Sequence, residues 1–232
     1  MTPTPMPITV ACLDMAGTTV ADDGSVIAAF SAAVGQFGLP RGTPGYDQAL
    51  AYVRQTMGQS KIEVFRHLLG AQEAQQANAA FEEHYARSVR AGQVAPLPGA
   101  AETLAALRAA GIKVCLATGF SPATRDALLD ALDWWPLIDL ALSPADVGRG
   151  RPWPDLPLTA LLRLGGGAVS ELAVAGDTGS DVESGLRAGA GLVAGVLTGS
   201  SSREELERAR APVILDTIAD LLPLLGVPGG GS

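Results

Sequence analysis

The chain has 232 residues, and at about 150 residues per domain that leaves room for one domain with an insertion or for two small ones. Hydrophobic residues make up 47% and charged residues 17%, which excludes an intrinsically disordered chain, and no apolar run reaches the roughly 18 residues of a membrane span. Sixteen basic residues against 24 acidic ones give a net charge of −8 with no basic run, which argues against nucleic acid as a partner. The two cysteines, Cys12 and Cys115, lie in separate apolar runs and read as packed, reduced thiols. The first residues lack a basic segment followed by an apolar one, so a cytoplasmic protein is the expectation.

In chain order, a first strand is expected at Ile8 to Leu13. Residues 24–95 then read as helical throughout, with no strand signal in the glutamine- and alanine-rich stretch Ala71 to Ala80. That stretch is predicted to be an inserted helical cap, and it returns through Pro96-Leu97-Pro98-Gly99, a stiff, turn-prone exit suited to a hinge. Helices at Glu102 to Ala110, Pro122 to Leu132, Asp155 to Leu164, Asp181 to Ala188, Ser202 to Ala209 and Thr217 to Leu225 then alternate with strands. The strands are expected at Ile112 to Ala117, Ile138 to Leu142, Leu172 to Ala175, Leu192 to Leu197 and Val213 to Leu215. Strands that are apolar throughout, each followed by a helix, predict a parallel sheet covered on both faces. The fold class is therefore α/β, with a Rossmann-like core over 1–23 and 96–226, an all-helical cap over 24–95 and a flexible tail over 227–232.

Open parallel sheets gather reacting groups just beyond the carboxyl ends of their strands. The first strand is followed by Asp14-Met15-Ala16-Gly17-Thr18-Thr19, the second by Thr118-Gly119 and the fourth by Gly176-Asp177-Thr178-Gly179-Ser180-Asp181. Gly148-Arg149-Gly150-Arg151-Pro152 precedes the helix at Asp155. Together they supply a carboxylate nucleophile, a hydroxyl and amide cradle, a fixed cation and further carboxylates for a divalent metal, a set that fits phosphoryl transfer. Asp14 and Asp177 offer hard oxygen ligands suited to Mg²⁺, and Asp181, at a helix start, is placed to support the metal's waters.

The order and spelling of these four motifs resemble the haloacid dehalogenase superfamily of hydrolases, over nearly the whole chain. The resemblance implies that Asp14 attacks phosphorus to form an aspartyl-phosphate and that Thr118 and Arg151, with Gly17, Thr18 and Gly119, hold the phosphoryl group. It also implies Mg²⁺ on Asp14, the Ala16 carbonyl and Asp177, with Asp181 nearby, and a mobile cap supplying substrate contacts. Phosphatases of this superfamily carry a second aspartate two residues after the nucleophile, where this chain has Ala16. Without that general acid, worth about 10²- to 10⁴-fold, the leaving group must be activated another way.

Asp14-Met-Ala-Gly-Thr resembles the phosphonatase branch, the phosphonoacetaldehyde hydrolases, in which a cap lysine forms an imine with the substrate aldehyde. Met57-Gly58-Gln59-Ser60-Lys61-Ile62 resembles that branch's lysine segment, so Met57, Gly58 and Lys61 become candidate substrate contacts. Among sixteen basic residues only Lys61 and Lys113 are lysines, and a guanidinium cannot form an imine. At 100° per residue Ile62, Phe65, Leu68 and Leu69 define an apolar arc that includes Lys61, whereas Glu63 and His67 fall on a solvated side. An amine so placed is desolvated toward its neutral, nucleophilic form. The branch places a histidine three residues after the lysine, where this chain has Val64.

Two functional readings stay open: a Mg²⁺-dependent hydrolase of a small phosphonate such as phosphonoacetaldehyde, or a phosphatase of a small phosphorylated metabolite in which Lys61 only binds charge. A non-hydrolytic phospho-aspartyl switch has no need of a helical insert, and no Gly-x-Gly-x-x-Gly follows the first strand. The phosphonatase resemblance also implies a homodimer through the cap. His84 reads as a surface residue, Asp22 and Asp23 as a solvated turn, and Trp134 and Trp135 as aromatics packed at a helix end.

Overall fold

The computed structural model describes residues 7–228. Alternation in the first strand decides the layering: in β1 (Val10–Asp14), Ala11 and Leu13 enter one hydrophobic core while Val10 and Cys12 enter another. Such a strand is covered on both faces and suits the middle of a parallel sheet. Five further strands pair in parallel with it or with one another: β2 (Lys113–Ala117), β3 (Leu140–Leu142), β4 (Leu172–Gly176), β5 (Leu192–Val196) and β6 (Val213–Leu215). Their order across the sheet is β3-β2-β1-β4-β5-β6, so the chain reverses its direction of travel at β1 and opens a crevice beyond the ends of β1 and β4. The six expected strands are all present, and the α/β fold class holds. Cys12 and Cys115 are buried free thiols that face one another in register across β1 and β2.

Within residues 24–95 lie α1 (Ser25–Val34), α2 (Pro44–Gln55), α3 (Lys61–Leu69) and α4 (Ala71–Arg90), and no strand falls there. Ala74, Ala77, Phe81, Tyr85 and Val89 form the buried stripe of α4, at the three- and four-residue spacing of a helix with one apolar face. In α3 the buried side chains are Val64 and Phe65, whereas Ile62, Leu68 and Leu69 are half-buried, so the apolar arc is centred one residue away from its expected middle. The rest of the chain adds α5 (Ala100–Ala109), α6 (Pro122–Ala131), α7 (Asp155–Arg163), α8 (Gly179–Ala188), α9 (Arg203–Arg208) and α10 (Leu221–Leu224). Leu104, Leu107, Leu128 and Leu129 of α5 and α6 pack on one face of the sheet, and Leu156, Ala160 and Leu161 of α7 on the other.

The expected flexible tail begins too early. Val227 is buried in the main core and its N–H donates to Leu222 O at 3.0 Å, and residues 229–232 lie outside the described residues. The tryptophan pair also divides: Trp134 is buried, while Trp135 is exposed and donates from Nε1 to Asp130 at 2.6 Å.

Candidate active site

Asp14 is the last residue of β1, and the backbone wraps tightly after it. The N–H groups of Thr18, Thr19 and Val20 all donate to Met15 O, and Thr19 Oγ1 donates to Asp14 O at 2.9 Å. Gly17 permits this turn because its φ is +90° and an added Cβ would stand 2.7 Å from Asp177 Oδ2. Asp177 follows β4 and accepts from Thr18 Oγ1 at 3.4 Å. Its other oxygen is held by the N–H and Oγ of Ser200, at 2.7 and 3.0 Å.

Arg151 joins the pieces. Its Nη1 donates to Asp14 Oδ1 at 2.6 Å, its Nη2 to Ala117 O at 3.0 Å, and its Nε lies 2.8 Å from Asp181 Oδ1. Asp181 is the third residue of α8 and caps that helix with Thr178, whose N–H it accepts at 3.1 Å. One Asp181 oxygen, Oδ2, is on the cap, and the other, Oδ1, faces the Arg151 guanidinium without a hydrogen bond of its own. Thr118, buried at the end of β2, accepts from the N–H of Phe120 at 3.2 Å and keeps its own proton to donate.

Three buried carboxylates therefore stand beside one buried arginine, which pairs with two of them, Asp14 and Asp181. Burial pushes Asp14 up to about 8, with Asp181 and Asp177 adding to the shift and Arg151 opposing it. Burial and Asp181 likewise push Asp177 up to about 6. This excess of buried negative charge is what a bound cation relieves. Among the described residues no three His, Cys, Asp or Glu side chains converge closely enough to hold an ion alone. The available donors are nevertheless all hard oxygens: Asp14, Asp177 and the Ala16 carbonyl, beside a cavity of about 280 Å³ lined by Ala16, Asp22, Met57, Asp177 and Ser200. A donor set with few carboxylates and room for water fits Mg²⁺, which gives up its waters reluctantly.

The loop leading into α3 lies directly over these groups. Lys61 N–H donates to Gly119 O at 3.3 Å, and Arg151 Nη1 reaches Gly58 O at 3.4 Å. On the other side of Lys61, Glu82 of α4 accepts from Ser121 N–H at 3.2 Å, Ser121 Oγ at 2.6 Å and Thr124 Oγ1, so an acid of the insert sits at the positive end of α6. Lys61 Nζ stands 5.7 Å from the Phe120 ring centroid. Burial lowers its pKa, opposed by Asp14 and Asp22. At Gly119 an added Cβ would collide with the backbone oxygen of Gln59. Gly119→Ala is therefore expected to lift the 58–61 loop and cut kcat/KM for phosphate release by about 10²-fold, with little change in Tm. Native kinetics in this variant would show that the loop need not seat on Gly119.

The match to known proteins follows this geometry. Residues 8–189 match the haloacid dehalogenase-like hydrolase family. The chain belongs to that family. A probable phosphatase IndB of Dickeya dadantii (strain 3937) is 30% identical over 216 residues, covering 90% of each chain. A phosphonoacetaldehyde hydrolase of Bordetella pertussis (strain Tohama I) is 32% identical over 153 residues, 56% of this chain and 55% of that one. Among solved structures, a phosphonoacetaldehyde hydrolase-like protein of Oleispira antarctica is similar at a TM-score of 0.81 and 27% identity, covering 96% of this chain and 92% of that one.

Within this haloacid dehalogenase-like hydrolase, the structure brings together Asp14, Ala16, Gly17, Thr18, Gly58, Lys61, Thr118, Gly119, Arg151, Asp177 and Asp181, with Met57 at the rim of the cavity beside Ala16. Two expectations need correction. Asp22 is no solvated turn residue: it is half-buried, its Oδ1 accepts from Val26 N–H at 3.0 Å, and burial raises its pKa. His84 is half-buried rather than at the surface, and its Nδ1 is enclosed without a partner. His67 is exposed as expected but stacks on Tyr52, with centroids 4.1 Å apart. Ser200 and Glu82 were not anticipated. Ser200 follows the fifth strand, and the rule that found the other motifs, polar residues just after an apolar run, applies to Thr198-Gly199-Ser200 as well. No sequence signal marks Glu82, because its partners Ser121 and Thr124 lie about forty residues away.

Proposed function

We propose that this chain is a Mg²⁺-dependent phosphonatase-like hydrolase that cleaves a small phosphonate such as phosphonoacetaldehyde, with residues 24–95 acting as a cap over Asp14. The observation that carries the reading is the seat of Lys61, whose N–H is held by Gly119 O next to Thr118 and whose amine stands over Phe120, in a site where Ala16 leaves Asp14 without a general acid. Lys61 Nζ condenses with the aldehyde carbon and releases water to form an imine. An Asp14 oxygen attacks phosphorus; the carbon–phosphorus bond breaks and its electron pair enters the imine, leaving an enamine on Lys61 and the phosphoryl group on Asp14. Water then hydrolyses both. Arg151 and the Thr118 hydroxyl hold the phosphoryl oxygens, and Asp181 fixes Arg151. Mg²⁺ held by Asp14, Asp177 and the Ala16 carbonyl would keep Asp14 ionised and neutralise charge on the phosphoryl group.

A second reading is favoured by the probable phosphatase IndB, a relative that matches over 90% of the chain: a phosphatase of a small phosphorylated metabolite, with Lys61 gripping charge only. One experiment separates them. Phosphate release from phosphonoacetaldehyde is followed with Mg²⁺, with a chelator, and with Lys61→Arg. The expected result is Mg²⁺-dependent release that the arginine variant reduces to background, because the charge remains and the imine-forming amine does not. Turnover of phosphate monoesters by both proteins, with none of the phosphonate, would establish the phosphatase instead.

A further inference from the structure

The helix α4 presents more to the site than its Glu82 clamp. Tyr85, at 0% exposure, is enclosed entirely, yet its hydroxyl has no hydrogen-bond partner among the described residues. Asn78 Oδ1, two turns earlier on the same helix face, is enclosed and unpartnered as well. Buried polar groups without partners are rare in native proteins, and each needs a reason. A phenylalanine at position 85 would fill the same space with no hydroxyl to desolvate, so packing alone does not account for a tyrosine.

The surroundings of that hydroxyl supply the reason. The Tyr85 ring packs 4.6 Å, centroid to centroid, from Phe120, the ring over which Lys61 Nζ also stands at 5.7 Å. The Tyr85 ring and the Lys61 amine thus stand against one aromatic ring, Phe120, two residues beyond Thr118 at the end of β2. A cavity of about 110 Å³ extends from Lys61 and Phe120 to Asn78 and Glu82. Burial, with Asp22, Asp14 and Glu82 in support, raises the phenol's pKa, so it is a donor and not a base.

We propose that Tyr85 is a specificity-determining residue, its hydroxyl donating a hydrogen bond to an acceptor oxygen, carbonyl or carboxylate, on the organic part of the substrate beyond phosphorus. The inference rests on the reading of the Asp14–Lys61 cleft as the substrate site but not on imine chemistry. It defines a substrate class: small phosphonates or phosphate esters bearing such an oxygen within a few bonds of phosphorus.

The test compares native protein with Tyr85→Phe on three probes: phosphonoacetaldehyde, phosphoglycolate and ethyl phosphate, the last having no acceptor beyond the phosphate. The expected result is a fall of at least about tenfold in kcat/KM for whichever of the first two the native protein turns over, the loss of one hydrogen bond. Ethyl phosphate turnover, or inhibition by inorganic phosphate where ethyl phosphate is not turned over, stays within about twofold. Tm is unchanged or higher, since an unpartnered hydroxyl is removed. Native kinetics in the variant would show that the hydroxyl serves only a trapped water, and an equal loss on all probes with a lower Tm would show a structural role; either overturns the proposal. If Lys61→Arg retains activity while Tyr85→Phe loses it selectively, the imine reading fails and this one stands.

Discussion

Replacing Asp14 by asparagine is expected to lower Mg²⁺-dependent phosphate release by at least about 10⁴-fold and, at the same time, to stabilise the metal-free protein. The amide keeps the shape of the side chain and an oxygen for Arg151, but it cannot attack phosphorus. The gain in stability follows from burial, which pushes Asp14 up to about 8 from its ordinary value of 3.8. Between those two values the folded state binds the proton and the unfolded state has lost it, so native stability falls as pH rises through that window. Asparagine has no proton to lose. Its Tm advantage over the native protein, measured without divalent cation, should widen from about pH 5 to about pH 8. A constant gap would show that Asp14 does not titrate in that range, and release within about tenfold of native would remove it as the nucleophile.

How much of this site was legible in the sequence depends on how far each residue acts from its neighbours in the chain. Asp14, Thr118 and Asp177 were readable because each ends an apolar strand, and a parallel sheet forces strand ends onto one edge. Arg151 was readable from its place among the motifs, but its bridge to Asp181 was not. Asp181 looked like a group near a metal; the structure ties it to the Thr178 cap and to Arg151, a role that depends on two elements meeting. Asp22 and Tyr85 escaped for a different reason. A helix pattern reports that a side chain is covered without reporting what covers it, and Tyr85 lies on the buried stripe of α4 with nothing in the sequence to mark its hydroxyl. The six strands and the helical insert, by contrast, follow from local periodicity and were legible in full except at their ends.

The same burial that raises Asp14 makes Arg151 the residue whose loss the fold can least absorb. Arg151→Met keeps much of the volume but strands Asp181 in the interior with no counter-charge, takes the hydrogen-bond donor from Asp14, and frees Ala117 O and Gly58 O. Breaking a buried ion network from one side costs about 3–5 kcal/mol, which for a chain of this size lowers Tm by roughly 6–20 °C. Arg151→Lys restores the charge but, with a single ammonium on a flexible stem, cannot span all four partners, so part of the loss should remain. The double variant Arg151→Met with Asp181→Asn separates the causes. If the cost is an uncompensated carboxylate, the asparagine recovers a large share of the lost Tm and the two changes are strongly non-additive. If the cost is lost packing, the effects add. Hydrogen exchange at Gly58 to Lys61 reads the second consequence: Arg151 ties the loop of the helical insert to Asp14 at the end of β1, so its removal should raise exchange there beyond the change at β2. Unchanged protection of that loop would mean that Lys61 N–H and Glu82 seat the insert without the arginine.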